Sequence, residues 1–129
     1  MIPKFKVWDK RNERMIEWID LDFSKDNGED FIIVFEPTGI VRDAIISPIL
    51  LQSTGLFDRN GKEIYEGDIV KHDPVLNPFI SNAYFEIIQA RSGEWRMDNY
   101  RGGQVLAYGN HEVEVVGNKF EHLHLLEEE

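Results

Sequence analysis

Apolar and polar positions along this chain recur with a period of two in short runs. Clusters of Gly, Pro, Asn, Asp and Ser separate those runs, a pattern that predicts strands and tight turns rather than helices. Phe5 and Val7 fall on one side of a first strand, Lys4, Lys6 and Trp8 on the other, and Asp9-Lys10-Arg11-Asn12 supplies a turn. From Met15 to Phe23 odd and even positions differ in character, most cleanly toward Phe23, which predicts the return strand of a hairpin. Asn27-Gly28 marks the next reversal because both residues tolerate positive φ. Phe31 to Phe35 is β-branched and aromatic and stops at Glu36-Pro37-Thr38-Gly39, where proline removes a ladder donor. Ile40 to Gln52 stays open between helix and strand: Ile40, Val41, Ala44, Ile45, Ile49 and Leu50 partly fit helical spacing, but Pro48 breaks a helix near the end.

The second half is more sharply punctuated. Asp58-Arg59-Asn60-Gly61 predicts a hairpin turn, Glu66-Gly67-Asp68 a bend, and Ile69 to His72 the strand that leaves it. Residues 73–83 read as a loop, yet Val75, Leu76, Phe79 and Ile80 are apolar, so the loop is expected to cover the body or form a contact surface. Tyr84 to Ala90 and Trp95 to Met97 predict a hairpin that turns at Ser92-Gly93, and Arg101-Gly102-Gly103 is expected to break it. Gln104 to Tyr108 and Val113 to Val116 are the last expected strands.

Three stretches stand out together: FKVWD at 5–9, STGLFDRNGKEIYEGDIVK at 53–71 and EVEVVGN at 112–118. In that order and spacing the chain resembles the YopX family of small phage and prophage proteins. The central stretch carries the resemblance through Thr54, Gly55, Leu56, Asp58, Gly61, Ile64, Tyr65, Glu66, Gly67, Asp68 and Val70. The resemblance implies a mainly β fold, with a small Src-homology-3-type barrel or roll in the C-terminal half, an N-terminal β-hairpin extension and little helix. It further implies a phage or prophage origin and a bacterial cytoplasm, and it brings no catalytic residues to carry across. Read on their own, Gly55, Gly61 and Gly67 supply turns, Asp58 and Asp68 accept backbone N–H groups, and Tyr65 adds a large ring with one polar end.

Composition narrows the function. A chain of 129 residues has the length of one domain, here divided as 1–55 hairpin-rich, 56–120 barrel and 121–129 acidic tail. It contains no cysteine, which removes disulfides, thiolate metal sites and a thiol nucleophile. Fourteen Lys and Arg stand against 24 Asp and Glu, a net charge of −10, and no segment gathers a basic block, so nucleic-acid binding is disfavoured. No apolar run reaches the length of a bilayer, so no membrane partner is expected.

Candidate chemistry is sparse. His122 and His124, two apart, share a face if extended, but with Glu121 or Glu112 they form an incomplete ligand set, so neither a metal nor another cofactor is expected. His72 and His111 read as surface residues beside Asp73 and Glu112. Trp8, Trp18, Trp95, Tyr84, Tyr100 and Tyr108, with Arg91, Arg96 and Arg101, offer an aromatic platform for single strands, but such rings are ordinary strand fillers. The expectation is a cytoplasmic, non-catalytic module that binds an unknown protein partner, with self-association as a further possibility. Its interaction surface is drawn from Val75, Leu76, Phe79, Ile80, Arg91, Trp95, Arg96 and Arg101. Single-stranded nucleic-acid binding through 84–108 is the first alternative, and a metal-dependent hydrolase the second.

Overall fold

The computed structural model describes residues 4–10, 12–18, 21–26, 29–35, 41–46, 49–72 and 83–126, the side chains of 21–46 excepted. Its strands are β1 (Phe5–Asp9), β2 (Arg14–Ile16), β3 (Leu21–Asp26), β4 (Glu29–Phe35), β5 (Val41–Ile46), β6 (Ile49–Phe57), β7 (Glu63–Tyr65), β8 (Asp68–His72), β9 (Tyr84–Gln89), β10 (Trp95–Asn99), β11 (Gly102–Val105) and β12 (Val113–Asn118). Short 3-10 turns cover Leu106–Tyr108, Asn110–Glu112 and Leu123–Leu126. Every strand pairing is antiparallel, and the chain is mainly β, with one sheet curled as a half-barrel. Among the described residues no helix is long and apolar enough to cross a membrane.

The chain divides into two compact units, 1–52 and 53–129. In the first, β1 pairs β2 through Val7↔Ile16, Trp8↔Met15 and Asp9↔Arg14, and pairs the start of β6 through Phe5↔Gln52 to Trp8↔Ile49. The β1–β2 turn is organised by the buried Asp9 carboxylate, which accepts from Asn12 Nδ2 at 2.8 Å and Arg14 Nε at 3.2 Å. The alternation of β1 suggests one covered face, yet Lys6, Val7, Trp8 and Asp9 are all buried, and the Lys6 ammonium lies 3.7 Å from Glu17. Apolar stem and charged head explain that burial together. A second correction concerns the expected strand from Met15 to Phe23: β2 ends at Ile16, the Trp18 ring meets Phe5 edge-on at 5.0 Å, and Leu21 begins a different strand, β3, with residues 19 and 20 outside the described residues.

The strands β3, β4 and β5 form a separate three-stranded sheet. Asp26 pairs Glu29, so two residues, Asn27-Gly28, join β3 to β4; they lie outside the described residues, as do 36–40 and Pro48. Within Ile40 to Gln52 the described residues are strand, since 41–46 pair β4 and 49–52 pair β1. Val41, Ile45 and Ile46 are β-branched, residue types that favour strand over helix.

The second unit carries the half-barrel, with strand order β11-β10-β9-β8-β12. Ile64, Val70, Phe85, Ile87, Met97, Leu106 and Val113 form its core, and Leu56, Ala83, Trp95 and Val115 pack against them. The entry to this unit is a bulge. Ser53 pairs Tyr65 and Phe57 pairs Glu63, so Thr54, Gly55 and Leu56 face Ile64 alone. Two hydroxyls take up the displaced groups: Ser53 Oγ accepts from Gly55 N at 3.1 Å, while Thr54 Oγ1 accepts from Leu56 N at 3.1 Å and donates to Ile64 O at 2.7 Å. Gly55, Gly61 and Gly67 all have positive φ, at 75°, 82° and 83°, as the turn reading requires.

The two aspartates of the central motif hold the corners. Asp58 Oδ1 accepts from Asn60 N and Lys62 N, each at 2.9 Å, and its Oδ2 accepts from Val115 N at 2.9 Å. One carboxylate thus shapes the β6–β7 turn and fastens it to β12, helped by Arg59 N donating to Val113 O at 2.9 Å. Asp68 Oδ2 accepts from Tyr65 N at 2.8 Å, and Gly67 donates to Ile87 O and accepts from Lys119 N, both at 2.8 Å.

The third correction lies at Arg101-Gly102-Gly103, expected to end the hairpin, and at Gln104 to Tyr108, expected to be strand. Instead Gly102–Val105 is β11, paired with β10 from Asn99↔Gly102 to Arg96↔Val105, and Leu106–Tyr108 is a 3-10 turn. Gly103 makes this pairing possible: a Cβ there would lie 2.1 Å from Met97 O and 1.9 Å from Asp98 Oδ1.

Replacing Asp58 with Ala leaves three N–H groups without their acceptor, and the expected cost is about 3 kcal/mol in urea unfolding. Asp58→Asn, which keeps one carbonyl oxygen, should cost clearly less. Gly103→Ala is expected to unpair β11 locally, seen as a loss of amide exchange protection at Gln104 and Val105, with Ile87 and Met97 still protected.

Candidate interaction surface

The buried polar side chains of the second unit are committed to the fold. Asp58 and Asp68 are taken up by backbone N–H groups, as described. His72 was expected at the surface and is instead fully buried, its Nε2 2.9 Å from Glu112 Oε2, so that nitrogen carries the hydrogen. The strand period causes the difference: His72 points to the same side of β8 as Val70, which lies in the core. His111 is two-thirds exposed, as its sequence context suggests.

The β9–β10 hairpin sorts its residues by face. Phe85, Ile87 and Met97 point inward, whereas Glu86, Ile88, Arg96 and Asp98 point outward, paired as Arg96↔Ile88 and Asp98↔Glu86. On that outer face Arg96 Nε and Nη2 donate to Asp98 at 3.1 and 3.2 Å. The Asp98 hydrogen bond and charge raise the already high pKa of Arg96, so the guanidinium stays charged and partnered. At the β9–β10 turn the Ser92 hydroxyl donates to Glu94 and holds its carboxyl below the usual range. An open groove of about 290 Å³ lies beside Arg96, lined by Glu86, Ile88, Asp98, Asn99, Tyr100 and Leu126.

The residues singled out in the sequence part company here. Arg91 is exposed on the β9–β10 turn, Trp95 packs partly into the core, Arg96 is paired, and the Arg101 guanidinium lies 5.3 Å from the Tyr100 ring centre. Val75, Leu76, Phe79 and Ile80 lie outside the described residues, as do Asp73 and the closing glutamates. The aromatic residues named in the sequence fall in different settings. Trp8 is buried and Trp18 sits against Phe5 in the first unit, while Tyr84 lies 5.7 Å from the Lys71 ammonium. Tyr100 and Tyr108 are the exposed members, at 58% and 75%.

These two rings flank β11, at the turn before it and the 3-10 turn after it, and β11 ends its sheet. An edge strand presents backbone donors and acceptors to an incoming chain. Sequence reasoning missed this edge because two adjacent glycines looked like an interruption. The available signal was Tyr100-Arg101, a two-residue connection between Asn99 and Gly102. Near Tyr108, Asn110 Nδ2 donates to Phe57 O at 2.8 Å, and Phe57 is also half exposed. Of the histidine pair, His122 Nδ1 accepts from Asn118 N at 3.1 Å, and its ring centre lies 6.4 Å from that of His124. Among the described residues no three His, Asp or Glu converge as a ligand set.

Comparison with known proteins agrees with this architecture. The crystal structure of protein EF1440 from Enterococcus faecalis is similar to this chain, with 28% sequence identity and a TM-score of 0.64 over 98% of this chain and 99% of that one. No curated protein matches the chain. The family model described as YopX protein matches residues 4–127, and the corners built on Asp58, Gly61, Gly67 and Asp68 lie inside that span. The chain therefore belongs to the YopX family.

Proposed function

We propose that this protein is a non-catalytic interaction module that binds another protein, as an accessory factor of a phage or prophage in the cytoplasm of its bacterial host. The observation that carries this reading is the short edge strand β11 with the exposed rings of Tyr100 and Tyr108 at its ends. An extended segment of a partner adds its backbone to such an edge, and tyrosines contribute large contact area at small entropic cost. The buried carboxylates support the same reading from the other side: Asp58 and Asp68 are occupied by backbone donors and serve geometry.

Affinity capture from phage-infected cells tests this, with wild type and the Tyr100→Ser/Tyr108→Ser variant compared side by side. The expected outcome is a protein retained by wild type and weakened roughly tenfold or more by the variant. Retention of the same proteins by both overturns the reading.

One observation favours single-stranded nucleic acid as a second reading: the Arg101 guanidinium lies over the exposed Tyr100 ring. Against it, Arg96 is already neutralised by Asp98, and the adjacent groove carries Glu86. A salt-titrated anisotropy assay with a labelled single strand separates the two. Binding at low salt that Arg101→Glu abolishes supports nucleic acid, and no signal at low salt removes it.

A further inference from the structure

The segment that follows β12 is folded back on the half-barrel by reciprocal bonds. Asn118 Oδ1 accepts the N–H groups of Phe120 and Glu121, each at 3.0 Å, and Asn118 O accepts that of His122 at 2.8 Å. His122 answers through its ring, where Nδ1 accepts the Asn118 N–H at 3.1 Å. The ring rests on bare backbone, for a Cβ at Gly117 would lie 2.5 Å from Nδ1 and 2.6 Å from Cγ. Beyond this pin the 3-10 turn Leu123–Leu126 packs on β9, its first N–H bond running from Leu125 to His122 O at 2.9 Å. Leu126 forms one wall of the groove that also holds Ile88 and Glu86.

A backbone N–H only donates, so Nδ1 must offer a lone pair and the closed form requires a neutral imidazole with its hydrogen on Nε2. Protonation places a hydrogen on Nδ1 and sets two donors against each other. We propose that His122 is a proton-sensitive pin, and that acidification releases the strap Leu123–Leu126 from β9 and uncovers Ile88.

Several charged groups surround the pin. Lys119 and Glu121 lie on the turn, and His124 on the strap. Glu86 on β9 is paired with Lys119 at 3.7 Å, Asp68 on β8 stands opposite Asn118, and Glu66 lies at the β7–β8 corner. Lys119 N stays bonded to Gly67 O, so release begins after that residue. The closed strap holds no proton at Nδ1, so adding one there opposes the Asn118 N–H and favours the open form.

Heteronuclear NMR on the full chain tests the pin, reading at about pH 8 and about pH 5.5 the exchange protection of Asn118 and whether the methyls of Leu126 and Ile88, which line one groove, are in contact. On acidification Asn118 protection is expected to fall about five- to tenfold and the methyl contact to disappear. Ile87 and Met97 should stay protected. Gly117→Ala, whose methyl displaces the ring, and His122→Phe, which cannot accept, should both be open already at the higher pH, while His124→Gln should follow wild type. The proposal fails if His122 becomes protonated with Asn118 protection and the methyl contact unchanged. It also fails if His122→Phe remains closed at the higher pH.

Discussion

A single buried carboxylate sets the geometry on which the second unit depends. Asp58 binds three backbone N–H groups, two within its own turn and one on β12, distant in sequence. A local turn preference is thereby converted into a tertiary constraint: the residue that shapes the β6–β7 corner also fixes where β12 lies. Charge-assisted bonds to backbone amides are roughly twice as strong as neutral ones, and within a nearly closed site they are poorly replaced by water. Core packing alone is less particular. Ile64, Val70, Ile87 and Val113 are interchangeable in chemistry, so the polar corner is what specifies register while the apolar cluster supplies most of the driving force.

That division between polar corners and apolar interior explains which features were legible in the sequence. Asp68 and the Oδ1 of Asp58 act through neighbours two to four residues away, and Gly61 and Gly67 through their own positive φ, so these turn roles follow from spacing alone. The strands at 84–89 and 95–99 were legible for the same reason, because alternation over a strand is local. The hairpin joined at Asn27-Gly28 belongs to this class as well, since Asp26 pairs with Glu29.

What escaped depends on partners far away in the chain. His72 looks like a polar residue at the end of a strand; alternation puts it on the side of Val70, but the carboxylate that satisfies it there, Glu112, is 40 residues on. Gly103 reads as a breaker until β10 is placed beside it. Then the missing Cβ becomes the condition for Met97 O and Asp98 to approach, and the glycine makes a strand possible. β1 offered a polar and an apolar side, but Lys6 is buried nearly as well as Val7, because its long stem packs while its head reaches Glu17. The candidate surface was only half visible for a related reason. The arginines were singled out without their partners: Asp98, two residues on and on the same strand face, neutralises Arg96, a local pairing that the sequence reading passed over.

The topology of the five-stranded sheet leaves few of its surfaces uncovered among the described residues. Its inner face is filled by the core. On the outer face, β9 is covered in part by Leu123–Leu126. The β12 edge is occupied at its start by the β6–β7 corner, through Arg59 N and the Asp58 carboxylate. Among the described residues β11 is the edge that remains, and sheet edges that are long and flat invite uncontrolled association. This one is restrained by its own residues. It is four residues long, two of them glycine, and the paired Arg96 and Asp98 stand on the neighbouring strand with Asp98 leaning over Gly103. A strand so short offers few backbone bonds, so on the protein-binding reading proposed above an added segment would be held largely by what flanks it. Tyr100 and Tyr108 are exposed at those two corners, and on the same reading the corners, more than the strand itself, would set specificity.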